Sequence, residues 1–145
     1  MERIRICDDL EECRLLWREA VRDDNLFQLW EIRNCFQETF HRTPCFIVCE
    51  DTDGVSGLLP LSRIDETGRL AFFPGETWHG ETWLERNRIV SRSPGVFEAL
   101  LEAVPGGAHI RYVEQEYVPR RPTDASIGEI GYLFLPQRHA FSFQE

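Results

Sequence analysis

Glu76, His79 and Glu81 stand in one short run, Glu76-Thr77-Trp78-His79-Gly80-Glu81-Thr82-Trp83, in which Glu-Thr-Trp occurs twice, five residues apart. A histidine flanked by carboxylates can act as a general base, with a carboxylate fixing its tautomer. Glu76 and His79 are therefore the candidate catalytic residues. The same composition also suits an ordered surface turn, or a ligand- or partner-contact loop that presents Trp78 and Trp83. As metal ligands the three side chains are too close together and lack a fourth partner, so no metal site is expected. Arg120-Arg121 could hold an anion bidentately or form a solvated loop. No G-x-S-x-G, H-E-x-x-H, Walker or dinucleotide signature occurs, and neither His109 nor His139 belongs to a recognisable motif.

The elements that must position these groups centre on Cys45–Pro74, which reads as three consecutive strands. Cys45–Glu50 is apolar and rich in β-branched and aromatic residues, and Asp51-Thr52-Asp53-Gly54 is a tight-turn signal. Val55–Arg63 forms the second strand, Glu66-Thr67-Gly68 the next turn and Arg69–Phe73 the third strand. Pro60, which has no N–H, and Gly57 suggest a bulge or an edge position in the second strand. There a kink could serve packing, or a splayed strand could open a ligand cleft.

An antiparallel meander needs cover on its apolar face, and the flanking segments supply it. Met1–Cys7 reads as a short strand or an ordered lead-in. Asp9 with Glu12 starts a helix over Leu10–Arg22, with Leu10, Cys13, Trp17, Ala20 and Val21 at helical spacing. Asn25 with Gln28 starts a second helix, whose apolar face is Leu29, Ile32, Phe36 and Phe40 and which ends before Pro44. Trp83–Val90 reads as a fourth strand. Ser93 and Pro94 open a third helix with the stripe Val96, Leu100, Leu101 and Val104. His109–Glu114 is a fifth strand, expected to lie parallel to the fourth because a crossover helix joins them. Gly131–Pro136 is a last apolar strand, and Phe141–Phe143 extends it or docks on the body.

At 145 residues the chain is expected to be a single domain, 1–145, with a sizeable core. A net charge of −9 argues against a nucleic-acid partner, whose phosphates such a surface repels. All 16 basic residues are arginine, which excludes a lysine Schiff base or a P-loop lysine. No apolar run approaches the ~20 residues of a membrane helix, and the N-terminus lacks a leader pattern. A cytoplasmic location is expected. The five cysteines include no CxxC pair and read as buried, reduced thiols. Cys45 and Cys49 should share a strand face, and Cys13 and Cys35 fall on helix stripes. Cys49-Glu50 is too apolar a setting for a nucleophile.

The order of helices, meander, strand, helix and strand resembles the GNAT superfamily of N-acyltransferases. The likeness is greatest to the amino-terminal half of tandem-GNAT proteins, the cellulose-biosynthesis-type acetyltransferases related to Fem-type aminoacyl transferases. It is carried by Phe27-Gln28 with Trp30, by Gly57-Leu58-Leu59-Pro60-Leu61, by Phe72-Phe73-Pro74-Gly75 and, less, by Leu100–Val104, and it covers about Leu26 to Val113. It implies an α/β (α+β) fold, a GNAT-like mixed, mainly antiparallel central sheet flanked by helices. Family members bind acyl-CoA pyrophosphate at a loop of pattern R/Q-x-x-G-x-G/A that opens the helix after strand four. Ser91-Arg92-Ser93-Pro94-Gly95 stands there in this chain. The carry-over makes Arg92, Ser93 and Gly95 the cofactor-binding residues for acetyl-CoA or another acyl-CoA, if the loop works. One arginine and one glycine survive and Pro94 removes a donor, so the expectation is a degenerate GNAT-like domain, inactive by itself and without a working acyl-CoA loop. It would contribute acceptor-site or interface surface to an N-acyltransferase. The implied partner is a second GNAT half, or a second copy paired through Gly131–Pro136 as a homodimer. The alternative is a non-catalytic binding or interaction module with the same fold. An open reading frame continuing past Glu145 into R-x-x-G-x-G would favour the enzyme.

Overall fold

The structure, a computed structural model, describes residues 2–75, 84 and 86–114. Glu76, His79, Trp78, Trp83, Arg120-Arg121, Gly131–Pro136 and Phe141–Phe143, all singled out above, lie outside the described residues. The architecture is α+β. A mostly antiparallel six-stranded sheet carries helices, and a two-stranded parallel ladder lies beside it.

The meander forms where local turn chemistry demands it. Strands β1 (Arg3–Cys7), β2 (Thr43–Asp51), β3 (Gly54–Ile64) and β4 (Arg69–Phe72) pair antiparallel in that order. The β2–β3 hairpin closes at Asp51↔Gly54, and its tip is fixed by Asp53 N–H donating to Asp51 Oδ1 at 2.7 Å. The N-terminal lead-in is thus a paired strand at the sheet edge. β3 is not an edge strand, because it has partners on both sides. Along one side it pairs with β2. On the other, Leu61–Ile64 pair with β4, whereas Gly57 and Leu58 pair with β6 (Val90–Ser91).

Pro60 sits where β4 gives way to β6. Its carbonyl accepts from Phe73 N–H at 3.0 Å. A strand residue's N–H and C=O face the same neighbour, so the donor that proline lacks falls on the splayed edge. Pro60 itself therefore strands no amide in the gap. The expected bulge is present beside Gly57, where the register slips between Cys49 and Glu50 opposite Ser56, rather than at Pro60.

Both faces of the central strands are covered, which is why Cys45–Cys49 and Ser56–Ser62 are continuously buried. Helix α3 (Pro94–Glu102) lies against the face that carries Cys49 and Gly57. A Cβ on Gly57 would come within 2.4 Å of Val96 Cγ1 and 3.0 Å of Leu100 Cδ1, so only glycine admits the helix this close. Helix α1 (Leu10–Ala20) is capped by Asp9, whose Oδ1 accepts from Glu12 N–H at 2.8 Å, and it buries Cys13, Leu16 and Trp17. It ends two residues before the expected Arg22, with Val21 extended at its C-cap. Trp17, Trp30, Phe46 and Phe73 form one aromatic cluster. Trp30 stacks on Phe73 at 5.3 Å between centroids, and Phe46 meets Phe73 edge-on at 5.1 Å.

The second helix departs from expectation in start and face. Asn25 Oδ1 accepts from Phe27 N–H and opens only a 3-10 turn, Leu26–Gln28. Helix α2 (Trp30–Phe40) follows without a side-chain cap. Its buried face is Trp30, Arg33 and Gln37, while Leu29, Ile32, Phe36 and Phe40 are only half-buried. Cys35 is exposed, which corrects its assignment to an apolar stripe; the other four thiols are buried, and all five are free.

The fourth and fifth strands are shorter and more broken than their composition suggested. Among the described residues the fourth comprises β5 (Asn87–Arg88) and β6, and the fifth comprises β7 (Ala108–His109) and β8 (Val113–Glu114). Tyr112, at φ +51°, interrupts the latter. The parallel relation holds for β5 with β8, whereas β7 pairs parallel with β4. Among the described residues no helix is long and apolar enough to cross a membrane.

Candidate functional site

A cleft of about 670 Å³ opens between the C-terminal end of α1 and β6, over the start of β3. Its charged lining comprises Glu19, Arg22, Asp24, Arg88, Arg92 and Glu114. Much of this charge is paired. Arg88 Nη1 lies 3.1 Å from Asp24 Oδ2 and Arg88 Nη2 lies 3.5 Å from Glu114 Oε2. Arg86 also bonds Glu114. The hydrogen bond from Arg88 holds the Asp24 carboxyl below its ordinary range. Glu19 Oε1 accepts from Val55 N–H at 3.3 Å, tying the end of α1 to β3.

The wall of the cleft is set from behind. Alternation along β5 turns Asn87 inward and leaves Arg86 and Arg88 facing the acids. Asn87 is buried, its Oδ1 accepting from Arg33 Nη1 at 2.7 Å and its Nδ2 donating to Arg111 O at 2.7 Å. Arg33, also buried, donates from Nε to Phe27 O, from Nη1 to Phe73 O and from Nη2 to Arg86 O. Its guanidinium lies over the Trp17 and Phe72 rings at 5.4 and 5.2 Å. Gln28 adds a bond from Nε2 to Arg86 O at 2.6 Å, and its backbone carbonyl accepts from Trp17 Nε1 at 2.8 Å. One buried polar network thus joins the 3-10 turn, α2, the end of β4 and β5.

Sequence reasoning missed Arg33, Gln28 and Asn87 in this role. The signal that could have found Arg33 is its spacing, three residues after Trp30 and four before Gln37 on one helical face. Nothing local marks Asn87.

The three residues expected to hold a cofactor phosphate have separate occupations. Arg92 lines the cleft, and its Nη1 lies 3.2 Å from Asp51 Oδ2. Ser93 caps α3, with Oγ accepting from Val96 N–H at 3.2 Å. Gly95 is exposed on the first turn of α3. Pro94 offers no N–H and Val96 spends its own on Ser93, which leaves at most the Gly95 amide of that turn for a phosphate. Among the described residues there is no group of three or more His, Cys, Asp or Glu side chains able to hold a metal. No protein-family model, curated protein or solved structure matches this chain.

Proposed function

We propose that the chain is a GNAT-like domain of an N-acyltransferase that contributes acceptor-site or interface surface and does not itself hold acyl-CoA. The observation that carries the proposal is the handover at Pro60, where β3 exchanges β4 for β6 on one edge and the cleft opens beside the new partner. A mixed sheet splayed in this way, with a helix following β6, accords with the resemblance of the sequence. The capped first turn of α3 and the Arg92–Asp51 pair support the view that the cofactor is held elsewhere, on a second GNAT-like half or a second copy. The compartment in this reading is the cytoplasm, and nucleic acid is not a partner of a chain with this net charge.

A second reading, a binding module that turns over nothing, is favoured by the ion pairs of Arg88 with Asp24 and Glu114, which suit a charged protein rim. Thiol release from acetyl-CoA in the presence of primary amines distinguishes these readings from an autonomous transferase. The chain alone should release no more free CoA than buffer does. Saturable, amine-dependent release would overturn both.

A further inference from the structure

The ends of β1 and α1 hold two thiols that the proposed function does not use. Cys7, the last residue of β1, is 3% exposed, and Cys13, in the first turns of α1, is fully buried. Their sulfurs lie 3.6 Å apart, with Cys13 Sγ also donating to Cys7 O at 3.7 Å and Cys7 Sγ to Asp9 O at 3.7 Å. Only Asp8–Glu12 separate them, and the Asp9 cap fixes the turn, so the juxtaposition is built by the strand-to-helix connection itself.

We propose that Cys7 and Cys13 form a reversible intramolecular disulfide that fastens the edge strand β1 to α1, with a small-molecule disulfide as the oxidant. The Cys7 thiolate attacks one sulfur of the oxidant, forming a mixed disulfide and expelling one thiolate. Cys13 then attacks the Cys7 sulfur and expels the second. The net change is two protein thiols oxidised to one disulfide and one disulfide reduced to two thiols, with two protons passed to the leaving groups. Desolvation raises both thiols above their ordinary range, so few thiolates exist in the closed fold. Exchange therefore proceeds through opening of β1, an edge strand held to the sheet on one side only. Once formed, the bond opposes that same opening.

The test is incubation of the folded chain with oxidised glutathione, alkylation of remaining thiols, and digestion with trypsin. Cleavage after Arg5 and Arg14 leaves Cys7 and Cys13 in one peptide, Ile6–Arg14. The proposal expects that peptide unalkylated and lighter by two hydrogens, with full reversal by dithiothreitol. It also expects β1 amides to exchange at least about tenfold more slowly in the oxidised chain. Cys7→Ser and Cys13→Ala should each abolish the two-hydrogen loss. Recovery of the peptide with both thiols alkylated, while exposed Cys35 is glutathionylated, would overturn the proposal. So would unchanged or faster β1 exchange in the oxidised chain.

Discussion

Arg33 Nη1 donates to Asn87 Oδ1 at 2.7 Å across 54 positions of sequence, and both side chains are buried. This bond links α2 to the strand that presents Arg88 to the cleft. Removing Asn87 leaves a buried guanidinium short of an acceptor and Arg111 O short of a donor. Asn87→Leu should cost about 2–3 kcal/mol, within the range for unpaired buried polar groups near a charge. Arg33→Met should cost more, about 3–5 kcal/mol, because Phe27 O, Phe73 O and Asn87 Oδ1 lose a donor together, at about 1–3 kcal/mol for each buried acceptor left unsatisfied. Urea unfolding of the two variants and the double variant measures this. The double variant should fall well short of the sum.

The close approach of α3 to the sheet gives a second prediction. A methyl group at Gly57 would overlap Val96 Cγ1, so Gly57→Ala should destabilise by about 1–3 kcal/mol, the usual range for overpacking. Val96→Ala in the same chain makes room for that methyl. The pair should therefore be less damaging than the two separate losses added together, as read from urea midpoints. Strict additivity would mean that the helix does not rest on Gly57.

How much of this was legible in the sequence follows from the range of each interaction. The β2–β3–β4 meander is written locally, in Asp51–Gly54, Glu66–Gly68 and the apolar runs between them, and it formed with bounds close to those expected. Helix caps at Asp9 and Ser93 are also local, and both accept the expected amide. The face of α2 was misread because Arg33 and Gln37 carry polar side chains that ordinarily mark solvent. Gln37 bonds Arg42 O just past the helix end and Arg33 bonds Phe27 O in the 3-10 turn, but the other partners of Arg33, Phe73 and Asn87, lie 40 and 54 positions away, where no helical period shows them. Of the two residues that suggest a bulge in β3, Gly57 adjoins the slip at Ser56, whereas Pro60 lies in regular register opposite Phe46. In the candidate site, Arg92 could be read as a basic loop residue, but its pairing with Asp51 required knowing that β6 lies beside the β2–β3 hairpin.

The edge strand supplies a pH prediction. Arg5 donates to both Glu50 oxygens, at 3.1 and 2.9 Å, and also lies 2.8 Å from Glu12. The hydrogen bonds from Arg5 hold the Glu50 carboxyl below its ordinary value of 4.5. A carboxyl whose folded value is depressed contributes stability that is complete above the unfolded value and is lost as pH falls through the folded one. Stability should therefore decline as pH drops below about 4.5, and Glu50→Gln should lose part of that dependence while lowering stability by under about 1 kcal/mol at neutral pH. Thermal melts of both chains between neutral pH and pH 3 check the sign. A variant that gained pH dependence in this window would contradict it.

The proposed function has the first turn of α3 leaving acyl-CoA unbound: Pro94 has no N–H, Ser93 engages that of Val96, only the Gly95 amide is left, and Arg92 pairs with Asp51. The most direct measurement is calorimetric titration with acetyl-CoA and CoA, accompanied by thermal melts. A ligand present at ~100-fold over its Kd stabilises the folded state by about 2.7 kcal/mol, an effect no melt would miss. No saturable heat and no shift in the melt are expected at millimolar ligand. Saturable binding that Arg92→Glu abolishes would contradict the proposed function and make this chain an acyl-CoA-binding domain in its own right.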